Sequence, residues 1–196
     1  MVIPVSALIA AAFIVLAILT IWLNWLTVEV SYSGASSGKD FNFTDIMDID
    51  EEYVDYSGKL DGYSPGSSSV IPESRYDEIS DAFYAMKYCA LAGYIVLGVA
   101  AVSLFVSRKF GAVLAAISML LFIAALIFNI LYCTRTMDIM DDIYRVMFSS
   151  RYNIDCDIKP GLGCILALAA SAGAAVSLFI TAFRRKSYPA SVYPDF

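Results

Sequence analysis

The chain contains no histidine. That removes Ser-His-Asp and Cys-His nucleophiles and any His-ligated metal site. Charge is scarce: 16% of residues are Asp, Glu, Lys or Arg, against about 25% in a soluble domain. Positive charge is the scarcer sign, with 13 Lys and Arg against 19 Asp and Glu and a net charge of −6. Nucleic acid is therefore disfavoured as a partner. Four cysteines in 196 residues are too few for a disulfide-dense secreted scaffold. Apolar side chains fill the space instead. They make up 59% of the chain, above the usual ~45–50%, and the mean hydropathy is +0.68. This composition belongs to a membrane protein and excludes a disordered chain.

Four stretches carry no charge at all: residues 2–28, 88–107, 110–134 and 160–183. Each meets the ~20 apolar residues needed to cross ~30 Å of hydrocarbon. A cleaved signal peptide is the competing reading of the first. It expects a basic leader and an apolar core of about 7–15 residues. No basic residue precedes this core, and the run continues past Leu19 to Trp22 and Trp25. A pair of Trp at one end fits an interfacial belt, so a retained span is expected. The predicted layout is span 1 (1–28), first outer loop (29–84), span 2 (85–107), a turn (108–109), span 3 (110–134), second outer loop (135–159), span 4 (160–183) and tail (184–196).

Lys and Arg near span ends set orientation. Arg108 and Lys109 lie between spans 2 and 3, and Arg184-Arg185-Lys186 follows span 4. Parity puts both on one side, which is therefore cytoplasmic, together with both termini. The first outer loop holds 13 acidic and three basic residues, the second five and four.

Within the first loop the hydrophobic period changes. Leu26, Val28, Val30 and Tyr32 alternate with Thr27, Glu29, Ser31 and Ser33, the mark of a half-buried strand. Gly34 to Gly38 is turn chemistry, and Phe41 and Phe43 alternate with Asn42 and Thr44 as a returning strand. A further hairpin is expected over 53–63 and an irregular loop over 64–69. From Pro72 the period is helical, with Tyr76, Ile79, Phe83 and Met86 on one stripe leading into span 2. Cys133, Met137, Met140, Tyr144 and Met147 continue span 3 beyond the membrane in the same way. Ile154, Cys156 and Ile158 alternate with Asn153, Asp155 and Asp157 just before span 4. A lone hairpin is marginal in water, so one sheet drawing strands from both loops is expected. The fold class is all-α membrane: a four-transmembrane-helix bundle with a small extracellular antiparallel β-sheet formed by the two outer loops.

This order resembles the claudin-like four-span membrane proteins. They share cytoplasmic termini, a long first outer loop, a tight cytoplasmic hairpin, a lengthened third span and a last strand before the fourth. Tetraspanins, with reversed loop sizes, fit less well. The family hallmark is a Trp, then Gly-Leu-Trp, then two Cys in the first loop. Here Trp25 follows span 1, but Gly-Leu-Trp is absent and residues 29–84 contain no Cys. The resemblance rests on layout. It implies the fold and, more weakly, an outward-facing adhesive or assembly role; a tight-junction role does not carry over. The expected location is the plasma membrane.

Few residues suggest chemistry. Cys133 and Cys156 bracket the second loop on an oxidising face and are a disulfide candidate. Cys89 and Cys164 form a second possible pair, and four buried thiols are the plain alternative. Asp45, Asp48, Asp50, Glu51, Glu52 and Asp55 offer oxygens of the kind Ca²⁺ takes, but lack EF-hand spacing and its mid-loop Gly. A solvated loop that keeps an exposed sheet from pairing is the favoured reading. Asn42-Phe43-Thr44 is a glycosylation sequon. Gly163, Ala167, Ser171 and Ala175 recur every four residues in span 4, as in close helix–helix packing within one bundle or, less favoured, between copies. Asn24 and Asn129 are the strongest polar groups of the spans, placed for helix–helix hydrogen bonds or the interface. With no Asp, Glu, Lys or Arg in the uncharged stretches 2–28, 88–107, 110–134 and 160–183, a pump or secondary transporter is disfavoured. No cofactor is implied. The expectation is a non-enzymatic integral membrane protein with a structural, adhesive or complex-assembly role. Its partners would be the lipid bilayer and other membrane proteins or itself. The alternative is an accessory subunit or pore component of a channel or transporter.

Overall fold

The computed structural model describes residues 5–32, 35–49, 73–103, 107–147 and 154–183. In chain order these form α1 (Val5–Leu19), a 3-10 turn (Thr20–Trp22), β1 (Asn24–Tyr32), β2 (Ala35–Asn42), α2 (Phe43–Met47), α3 (Glu73–Ser103), α4 (Arg108–Met147), β3 (Ile154–Pro160) and α5 (Leu162–Phe183). Four helical stretches are long and apolar enough to cross a membrane: Val5–Trp22, Asp77–Ser103, Lys109–Asp142 and Leu162–Phe183. At 1.5 Å per residue, the 31 residues of α3 and 40 of α4 reach about 46 and 60 Å. Both exceed the ~30 Å of a hydrocarbon core.

Antiparallel pairing of the helices is written in their cross-contacts. Arg75 meets Asp142, Arg135 meets Glu78, and the Ser118 hydroxyl donates to the Gly93 carbonyl, so α3 and α4 run in opposite senses. The Thr181 hydroxyl donates to Ser6 at 2.7 Å, and Phe13 lies against Gly173, so α1 and α5 do likewise. α4 also packs along α5. The interior is filled by Ala90, Ala125, Ala167, Ala170 and Ala174 around Leu97 and Phe122. Small side chains let the helix backbones approach, and dispersion contacts then hold them. Apolar side chains such as Val15, Ile95, Val99, Leu120, Ile127, Val176 and Ile180 stay exposed around the bundle.

Three strands form one antiparallel sheet in the order β2-β1-β3. The register pairs Tyr32 with Ala35 and Leu26 with Phe41 on one side, and Leu26 with Pro160 and Tyr32 with Ile154 on the other. Both inter-helix loops thus supply the sheet. Period two puts Leu26, Val28, Val30, Phe41, Cys156 and Ile158 on the face that joins the core.

Several boundaries differ from the sequence-based expectation. The first helix ends well before the uncharged run does, because Asn24 already pairs with Asn42 in the sheet. The β-branched alternation beyond Trp25 favours a strand over continued helix. Ala35 to Gly38 are strand rather than turn, with only two residues between the paired Tyr32 and Ala35, the commonest hairpin length. The returning strand stops at Asn42, and Phe43 opens α2. The hairpin over 53–63, the loop over 64–69, the helix start at Pro72, the side chains of Tyr76, Tyr144 and Met147, and the tail 184–196 lie outside the described residues.

The disulfide expectation is corrected. All four cysteines are thiols. Cys133 turns back one helical turn, with Sγ 3.4 Å from the Asn129 Oδ1, while Cys156 is held on β3 opposite Val30. Each thiol packs as a small apolar group in the core, the usual fate of buried cysteine. Cys89 and Cys164 are likewise unbridged.

A Cβ at Gly173 would stand 2.7–2.8 Å from the Phe13 ring, inside van der Waals contact. Gly173→Ala is therefore expected to cost about 1–3 kcal/mol, read as a lower melting temperature in detergent. Adding Phe13→Leu should recover part of the loss.

Candidate interaction surface and the joint beneath it

The sheet is fastened to the helices at Trp25, which is 0% exposed. Its indole Nε1 donates to the Thr20 carbonyl at 3.0 Å, across the 3-10 turn that ends α1. Its carbonyl accepts from Asn129 Nδ2 on α4 at 2.9 Å and from the Gly161 amide, just before α5, at 2.9 Å. The ring lies among Phe43 of α2 at 5.0 Å, Tyr94 of α3 at 6.0 Å and Phe122 of α4 at 6.4 Å between centroids. Tyr94 in turn shares a 2.8 Å hydrogen bond with the Thr20 hydroxyl. At Gly163 a Cβ would fall 2.8 Å from both the Asn24 carbonyl oxygen and the Trp25 ring. Glycine is needed there so that α5 can begin against the strand. Trp25, through its ring, its indole N–H and its backbone carbonyl, therefore joins the sheet to the end of α1, to α2, α3 and α4, and to the start of α5.

The other sheet face is polar. Thr27 stands between Asp40 and Lys159, and Glu29 between Gly38 and Asp157. The Thr27 hydroxyl donates to Asp40 Oδ1 at 2.7 Å, and Lys159 pairs with Asp157. That pairing offsets the repulsion between Glu29 and Asp157, which sit directly opposite. β2 is an edge strand and exposed along most of its length. Lys39 on it lies 4.8 Å from the Phe41 ring centre. A short polar edge carrying a lysine discourages indiscriminate strand pairing.

α2 sits at the base of the sheet and is fixed at both ends. Asn42 Oδ1 accepts from the Asp45 amide at 2.9 Å, and Asp45 accepts from the Asn42 amide at 2.9 Å. This is a reciprocal capping box. At the far end Lys87 of α3, only 8% exposed, donates to the carbonyls of Met47 at 2.9 Å and Ile49 at 3.1 Å. A buried ammonium is tolerable only with such partners. Further along α3 and α4, Arg75–Asp142 at 2.6 Å and Arg135–Glu78 at 3.1 Å link the two helices. These half-exposed pairs contribute below ~1 kcal/mol each and serve mainly alignment.

The sequence-predicted residues take the following places. Asn42 is the half-buried cap of α2, Asp45 completes its capping box, and Asp48 ends the helix. Asp50, Glu51, Glu52 and Asp55 lie outside the described residues. Among the described residues no three carboxylates or thiols gather at metal-binding distance. Gly163, Ala167, Ser171 and Ala175 are all buried on α5. Asn129 reaches the strand backbone at Trp25 rather than another helix. Sequence reasoning missed Lys87, whose only signal was a cation on the apolar stripe of Phe83 and Met86. It also missed the Thr20–Tyr94 bond, which spans 74 positions and leaves no local trace.

No protein-family model and no curated protein matches this chain.

Lys87→Met would strip two carbonyls of their donor. Amide hydrogen exchange over residues 43–49 is expected to rise at least tenfold, the equivalent of ~1.4 kcal/mol of local opening, while Lys87→Arg keeps most of the protection.

Proposed function

We propose that the chain is a non-enzymatic integral membrane protein that acts through a rigid outer domain in structure, adhesion or complex assembly. The observation that carries this reading is the Trp25 joint, which fastens a polar-faced sheet to one end of four apolar helices. A rigid platform presents a surface without first having to order it, which lowers the entropic cost of association. The broad exposed apolar belt supports lipid as its solvent, since soluble monomers rarely expose contiguous apolar surface on that scale.

Charge supports the orientation. Of the 19 acidic residues, 18 fall in the sequence segments 29–84 and 135–159, while Arg108 and Lys109 open α4 and Arg184, Arg185 and Lys186 follow α5 in sequence. The positive-inside rule then favours a cytoplasmic side that carries these cations and both termini, with the sheet on the outer side, and the plasma membrane is the location we propose. The claudin-like layout agrees with this arrangement and with an assembly role. A pore component takes less support, because alanines, Leu97 and Phe122 fill the space between the helices.

Two outcomes are expected. In a background with the native cysteines changed to Ala, Ser69→Cys should react with an impermeant maleimide on intact cells. Ser187→Cys should react only after permeabilisation, and the reverse pattern overturns the orientation. Cross-linking and pull-down from native membranes, read by mass spectrometry, should return copies of this chain or one consistent membrane partner. Recovery of neither, with turnover by the purified protein, overturns the assembly role.

A further inference from the structure

Where α1 gives way to the sheet, a shallow groove of about 320 Å³ is lined by Trp22, Leu23, Asn24, Asp40 and Asn42. It has two unlike walls. On one, Trp22 is 64% exposed and Leu23 41%, whereas Trp25, three positions on, is fully enclosed. The other wall is a relay of hydrogen bonds. Asn24 Nδ2 donates to the Thr27 hydroxyl at 3.1 Å, and that hydroxyl donates to Asp40 Oδ1 at 2.7 Å. Asn42 Oδ1 accepts from the Asp45 amide and from the Thr44 hydroxyl. The relay fixes the Asp40 carboxylate while leaving its Oδ2, and the Nδ2 of Asn42, without a hydrogen-bond partner among the described residues.

We propose that this groove binds the headgroup of a choline phospholipid. An open indole beside a held carboxylate is the chemistry that recognises a quaternary ammonium, through the ring face and through charge. The Asn42 amide is a neutral donor suited to the neighbouring phosphate. No Lys or Arg lines the groove, whereas Asp40 does, so an anionic headgroup meets a carboxylate rather than a counter-charge. The position selects a lipid over a free solute. Trp22 and Leu23 close the 3-10 turn that follows the first apolar helix, where an amphipathic ring would meet headgroups. This inference rests on reading α1 as a membrane span.

The test is native mass spectrometry of the purified protein in maltoside detergent, with phosphatidylcholine and phosphatidylglycerol added in equal, limiting amounts. Phosphatidylcholine adducts are expected to exceed phosphatidylglycerol adducts by about two- to fivefold, the preference one cation–π contact supplies. Trp22→Leu, which keeps apolar bulk, and Asp40→Asn, which keeps an acceptor for Thr27, should each bring the ratio toward unity with melting temperatures unchanged. Equal adducts on the unaltered protein, or a preference that survives both substitutions, overturns the proposal. The measurement in detergent does not depend on which side the sheet faces. Its failure is therefore distinct from failure of the orientation, which maleimide labelling reads separately.

Discussion

A backbone carbonyl buried in apolar surroundings must be hydrogen-bonded or cost several kcal/mol, and the carbonyl of Trp25 answers that constraint twice. It takes one donor from the middle of α4 and another from the residue that leads into α5. Because Trp25 is the second residue of the central strand, the same two bonds fix where the sheet stands relative to the bundle. The ring above them excludes water by packing on Phe43, Tyr94 and Phe122. Truncating an enclosed Trp costs about 3–5 kcal/mol in a well-packed core, a large share of the marginal stability of any domain. Little else connects the two layers so directly.

The molecule divides its forces by layer. Among the helices, close approach and dispersion do the holding, with sparse side-chain bonds such as Ser118 to Gly93 and Thr181 to Ser6. In the sheet, backbone ladders and an apolar underside do so. At the boundary the two vocabularies mix: Lys87 spends its charge on carbonyls of α2, and Asn129 on a strand. Polar side chains cluster there because that is where irregular backbone leaves groups without ladder or helix partners.

Elements with a strong local period were legible from sequence. The uncharged runs read as long helices, and the alternation Leu26-Val28-Val30 and Ile154-Cys156-Ile158 read as strands that share one sheet. What local pattern could not carry was how elements end. Phe41 and Phe43 fit a strand template equally well, and the reciprocal cap between Asn42 and Asp45 decided for helix at Phe43. Trp25 and Asn129 each stood out as residues, but their bond joins positions 104 apart. The thiols of Cys133 and Cys156 bracket a loop in sequence, yet one turns along α4 and the other sits in a ladder. Spacing along the chain gives no direction for a side chain.

The sheet's strand order has a consequence for biogenesis. Its central strand, β1, is made well before one of its two neighbours, β3, which lies more than a hundred residues further along the sequence. Until the ribosome has delivered that segment, β1 offers an open edge on one side, and the Trp25 carbonyl lacks its Gly161 donor. Open edges invite unwanted pairing and chaperone attention. Synthesis through β3 and Gly161 closes that edge and supplies the missing donor together.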